Sequence, residues 1–154
     1  MAKRMGNWLD GPSEPLPEGV WPGRGYGLPE SGRGSVAPTG KRLLALLLDL
    51  LVGFLVGGLV SSLLDDPDPG LRSTVATAAF AVQLLVLQSL TGQSVGMRLA
   101  GIRVARLAQP AALPGFLPVA VRTALICLIL PPLLMDQNGR GLHDKAGGTV
   151  VLRA

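Results

Sequence analysis

Arg42 and Asp49 stand seven residues apart inside an apolar run, "KRLLALLLDLLVG". Seven residues is nearly two helical turns, so on a helix both side chains point to one face. A carboxylate in such a run has two chemistries open to it. It can bind and release a proton or a cation, as acids within membranes do, or it can close a buried ion pair that locks helices together. Arg122 lies in another apolar run, "GFLPVAVRTALICLILPPLLM". If that segment enters from the same side as the first, Arg122 reaches about the depth of Asp49. The spacing therefore predicts an Asp49–Arg122 pair with Arg42 closing its rim. A fourth charged position, Asp144, follows His143 in "LHDKAGGT". A His–Asp dyad would need a nucleophile to do chemistry. Ser94 and Thr149 are available, but nothing in their spacing recruits them. The pair is read instead as a tight turn whose Asp144 fastens the tail by hydrogen bonds.

With one histidine and one cysteine, Cys127, the chain has little from which to build a zinc site or a Ser-His-Asp triad, and no intramolecular disulfide. No catalytic residues, no metal and no cofactors are expected, and the chain is not read as an enzyme.

The elements that must position these residues follow from composition. The chain has 154 residues, 48% of them hydrophobic and 16% charged, which fits a small multi-span membrane protein better than a soluble globule. The net charge of +4 could suggest nucleic acid, but the basic residues cluster at the ends of apolar segments, where membrane topology would put them. No nucleic-acid partner is expected.

Residues 1–38 are rich in Gly and Pro and have no helical or strand period, so they read as a disordered leader. Trp8, Trp21 and Tyr26 are its exceptions, as interfacial anchors or a short recognition element. Residues 39–154 form the membrane domain, with hydrophobic segments at about 43–64, 71–90 and 115–135. The first carries Gly53 and Gly57 on the Asp49 face, a small-xxx-small pattern that lets another helix approach closely. With so few helices, a pathway would form between subunits through that face, which makes a homo-oligomer an expectation. Gln83 and Gln88 interrupt the second segment; they line a polar path or hydrogen-bond between helices, and the second reading is preferred. The third holds Arg122 and Pro131-Pro132, so it either crosses fully or breaks and re-enters; the positive charges of the tail favour re-entry. "AGIRVAR" and "GGTVVLR" rhyme, each a Gly-led, β-branched run ending in Arg. They pair as short strands if both lie on one side, and are otherwise coincidence.

The fold expected is thus an all-α membrane protein. It is a small bundle of two transmembrane helices plus a third full or Pro-broken helix, behind a disordered leader. Lys41, Arg42 and the loop with Arg98, Arg103 and Arg106 place the N-terminus in the cytoplasm and the protein in the cell membrane, multi-pass, with lipid as its first partner. The first function expected is transport-related or ion handling with Asp49 as the key carboxylate. The alternative is an accessory protein whose charges lock the helices and whose cytoplasmic parts bind a protein partner.

The chain resembles the RDD family of small integral membrane proteins, named for an arginine and two aspartates. "KRLLALLLDLLVG" looks like its first helix, with Arg42 and Asp49 in the arginine and first aspartate positions. "TGQSVGMRLAGIRVAR" is similar to its Gly-rich basic loop, although Met97 stands where a lysine is common. "DQNGRGLHDKAGGTVVLR" looks like its closing motif, with Asp144 as the second aspartate. The resemblance covers about residues 38–153. It implies a multi-pass bacterial membrane protein, with transport of unidentified ligands and, for some members, ion or proton exchange. The Ala/Gly/Leu/Arg bias suggests a high-GC bacterium.

Overall fold

A computed structural model describes residues 18–64, 68–128 and 140–154. Helix α1 spans Thr39–Ser62 and α2 spans Pro69–Thr91. At 1.5 Å per residue they are about 36 Å and about 34 Å long, enough for a hydrocarbon core of about 30 Å. Both are long and apolar enough to cross a membrane, yet only 22% and 17% of their most apolar windows are buried. A core helix of a soluble protein would hide that surface. Here Leu47, Phe54, Leu55, Leu59, Val82 and Leu90 stay exposed, as lipid contact requires. Asp68 starts α2: its side chain accepts from the Gly70 and Leu71 amides, with Pro69 at the first helical position.

Gly53 and Gly57 set the contact between these two helices. A Cβ on Gly53 would lie 2.6 Å from Phe80 Cβ, and one on Gly57 would run into Ala76 Cα. The small-residue face is therefore occupied by α2 of the same chain. That corrects the expectation of an intersubunit pathway through it: the close approach that glycine permits is spent within the hairpin.

After α2, Gly92 closes the helix in a left-handed conformation, and Ser94 caps the short α3 (Val95–Ala100) by accepting from the Met97 amide. Strand β1 (Ile102–Arg106) pairs antiparallel with β2 (Thr149–Arg153), with Val104 opposite Val151. The two rhyming stretches are these strands, so the all-α expectation needs correcting. The protein is mostly helical, with a small sheet at one end of the hairpin.

Residues 18–38 also depart from expectation. Where the leader was read as disordered, the described part packs on the sheet. Val36 bridges Leu152, the Ala37 amide donates to Val151 O at 2.9 Å, and Gly34 and Arg153 exchange a further backbone bond at 3.0 Å. Leu28 is buried with Ala105, Val150 and Leu152. Trp21 donates its indole N–H to Leu28 O at 2.9 Å and carries the Arg24 guanidinium 5.1 Å above its ring. Gly23 turns this segment at φ 87°, where a Cβ would lie 2.8 Å from Val36. The open edge of β2 supplies the backbone partners that the Gly/Pro-rich sequence cannot supply for itself. Trp8 and the rest of residues 1–17 lie outside the described residues.

Helix α4 (Phe116–Cys127) runs from the sheet end along α2, burying Ile126 beside Phe80 and Leu84. Its twelve residues reach about 18 Å, too short to cross. Both flanks of the third segment lie at the sheet: Arg106 Nε donates to Pro114 O at 2.8 Å, and Arg140 Nε donates to Thr149 O at 3.2 Å. The two described flanks of the third segment thus lie at one end of the hairpin. Pro131-Pro132 fall outside the described residues. Helix α5 (Leu142–Ala146) then leads into β2.

Candidate ion-binding site between the hairpin and the sheet

Asp49 is 2% exposed, about 15 Å along α1 from Thr39. Its carboxylate is held from two sides. From α2, Gln83 Nε2 donates to Oδ1 at 3.1 Å. From the start of α3, the Gly96 amide donates to Oδ1 at 2.8 Å and the Ser94 hydroxyl donates to Oδ2. Gly96 makes this approach feasible, because a Cβ there would collide with the Ala45 carbonyl oxygen of α1. Ser94 thus serves twice, accepting from Met97 and donating to Asp49. All three donors are uncharged.

The predicted Asp49–Arg122 pair does not form; Arg122 goes to Asp144. Asp144 is 0% exposed, and Oδ1 receives Arg122 Nη1 while Oδ2 lies 3.5 Å from Arg42 Nη1. His143 Nε2 stands 3.6 Å from the same carboxylate. Thr149 Oγ1 lies 3.4 Å from Asp144 Oδ1. The depth argument failed because it compared the two apolar segments alone. The tail also returns to the hairpin, carrying its own acid to Arg122 on α5.

Arg42 is a junction more than a rim. Nε donates to Ala37 O at 3.0 Å and Nη2 to Val151 O at 3.2 Å, so one side chain ties α1 to the leader, β2 and α5. Of the four charged candidates, the structure brings Arg42, Arg122 and Asp144 into contact and leaves Asp49 in a separate, uncharged cradle. Both groups face one cavity of about 40 Å³, lined among others by Arg42, Asp49, Gln88, Met97, Arg122 and His143. Gln83 makes the interhelical bond expected of it, whereas Gln88 has no partner among the described residues.

Sequence reasoning missed Ser94 and Gly96 as partners of Asp49, and it missed Arg140. The guanidinium of Arg140 donates to Thr149 O and Asp144 O, and lies over the Tyr26 ring at 5.5 Å. The signal for the first two was the glycine-flanked "GQSVG", whose small residues mark a close backbone approach. Among the described residues no group of three or more His, Cys, Asp or Glu could hold a metal ion.

The sequence pattern that defines the RDD family matches residues 36–148, most of the chain. The chain belongs to the RDD family. This RDD protein is therefore a membrane protein, with the two apolar helices to match. No curated protein and no solved structure matches it significantly. The RDD match takes in Arg42, Asp49, Arg122 and Asp144, and it begins at Val36, which bridges Leu152 of β2.

Proposed function

We propose that this RDD protein is a multi-pass protein of the cell membrane that handles protons or small ions through Asp49, and that it is not an enzyme. One observation carries the reading: the Asp49 carboxylate is buried, faces a cavity, and is held by uncharged donors only among the described residues. An acid already neutralised by a cation has no charge left to exchange. An acid in a neutral cradle can take up a proton or a cation without breaking an ion pair. Its cost in the membrane is offset by three hydrogen bonds, each stronger than a neutral one because the acceptor is charged.

Orientation follows from charge. Lys41, Arg98, Arg103, Arg106 and Lys145 all belong to segments at the sheet end, which supports a cytoplasmic sheet end and N-terminus by the positive-inside rule. Asp68 starts α2 at the far turn.

A second reading is favoured by the Arg42–Asp144–Arg122 cluster, which has the geometry of a lock among α1, α4 and α5. There the protein is an accessory component, and its exposed surface serves a second copy or a cytoplasmic protein.

The two readings separate on Asp49→Asn. The full chain is reconstituted in liposomes holding a pH-sensitive dye, and gradients of Li⁺, Na⁺ or K⁺ are imposed. Ion handling predicts cation-dependent proton movement that falls at least about tenfold in the variant, a loss worth about 1.4 kcal/mol or more in rate terms, while the variant still folds and loses only about 1 kcal/mol of stability. Equal movement by wild type and variant, or none by either, leaves the accessory reading.

A further inference from the structure

The cavity beside Asp49 has a property that its neighbours do not explain. Gln88 of α2 is 0% exposed, and neither of its amide atoms has a hydrogen-bond partner among the described residues. Arg122 of α4 is 3% exposed, and its Nε is likewise without one. Both side chains line this same cavity. A buried amide or guanidinium N–H left unmade carries the full desolvation penalty of that group. Groups of this kind in folded proteins are satisfied by protein or by water. The donors and the acceptor suit water: it can accept from Arg122 Nε and donate to Gln88 Oε1 at once. The volume suits it too. A cavity of about 40 Å³ has room for more than one water, since each needs roughly 10–15 Å³ by this measure.

We infer that the cavity is a water-filled chamber through which Asp49 exchanges protons with the sheet side of the membrane, with Gln88 and Arg122 holding the water and His143 lining it from α5. The route rests on the ion-handling reading of Asp49; the hydration of the chamber does not. Every element around it is accounted for. Arg42 and Asp49 face it from α1, Gln88 from α2, Met97 from α3, Arg122 from α4, His143 from α5 and the apolar Val151 from β2. Asp144 stands behind His143 and Arg122. The guanidiniums of Arg42 and Arg122 oppose a free hydronium ion in the chamber, so the proton moves by exchange along ordered water, from the Asp49 carboxyl through the Gln88–Arg122 water to the His143 imidazole. Each transfer breaks one O–H or N–H bond and makes another, with no other reactant.

Met97 is the built-in reporter. It is buried and oxidisable, and it lines the chamber, while Phe80 is buried to the same degree and does not line it. The full chain in lipid nanodiscs is exposed to microsecond pulses of hydroxyl radicals generated from water, and oxidation of both residues is read by mass spectrometry. The chamber predicts Met97 labelling well above Phe80 after correction for intrinsic reactivity. Gln88→Leu, which removes the polar anchor at similar volume, should cut Met97 labelling several-fold and proton movement in liposomes by at least tenfold. Gln88→Met, unbranched, should do the same if the leucine variant fails to fold. Met97 labelled no more than Phe80 in the wild type overturns the chamber. Labelling that falls while proton movement holds at the wild-type level overturns the route and keeps the water site. A wild type that moves no protons under any cation gradient overturns the ion-handling reading and the route with it, while Met97 still decides the chamber.

Discussion

Two aspartates of this protein, Asp49 and Asp144, are equally hidden and oppositely held. Asp144 sits among charged and ionisable groups: Arg122, Arg42 and His143. Asp49 takes its hydrogen bonds from neutral ones, Gln83, Ser94 and the Gly96 amide, and meets the Arg122 guanidinium only across the shared cavity. A cationic setting fixes a carboxylate in one charge state and makes it costly to disturb. A neutral setting tolerates a change of state, because hydroxyl and amide groups can reorient or lengthen at modest cost. One family signature thus supplies a rigid joint and an adjustable site a short distance apart. The difference lies in which partners arrive, since the two acids are chemically identical.

The largest effect should come from the cationic side. Asp144→Asn removes the counter-charge of two buried guanidiniums and should destabilise by about 3–5 kcal/mol, the range for breaking a buried pair. Thermal unfolding of the detergent-solubilised protein reads this; a loss no larger than that of Asp49→Asn would break the comparison. Next comes Gly96→Ala, which pushes a methyl into the Ala45 carbonyl and should cost about 1–3 kcal/mol by overpacking. It should also loosen α3, read as faster amide exchange at Met97. Asp49→Asn follows. The amide oxygen can still accept from Gly96 and Gln83, and the amide NH2 then donates to the Ser94 hydroxyl in place of accepting from it, so the loss should be about 1 kcal/mol, consistent with hydrogen bonds that weaken without vanishing. A melting point that drops as far as in Asp144→Asn would show that Asp49 is a joint as well. The smallest effect is Tyr26→Phe. It deletes a 3.3 Å hydrogen bond to Arg140 at a partly exposed edge and keeps the ring, so the change should stay within about 0.5 kcal/mol.

Much of this was legible in the sequence. The two long helices announce themselves by length and apolarity. The strand pair was visible as two rhyming runs, because β-branched residues in Gly-led stretches carry their own signal. The glycine face of α1 was legible as a close contact, but its partner was not, since a small-xxx-small pattern says only that something approaches. The partner of Arg122 was hidden for a related reason. Depth along one helix narrows a choice between segments already in view, and α5 is a five-residue helix with no periodicity to reveal it. The ordered leader was hidden because residues 18–38 have no period of their own; they take their conformation from the edge of β2. Gln88 was read as an interhelical bond. Polar type alone does not distinguish a side chain that meets a partner from one that meets a cavity.

The sequence distances within the charged cluster also set an order in time. Arg42 and Asp144 are 102 residues apart, whereas Asp49 is 34 from Gln83 and 47 from Gly96. At about 5–20 residues per second, Asp49 can find its cradle within about 2–10 s of leaving the ribosome, while Arg42 waits about 5–20 s for its counter-charge. Through that interval the Arg42 guanidinium must reach for the lipid headgroups. The partners of Asp49 are therefore synthesised before Asp144, the last charged member of the cluster to emerge. A nascent chain stalled before α5 would carry two uncompensated arginines, a mark that membrane proteases and chaperones could read.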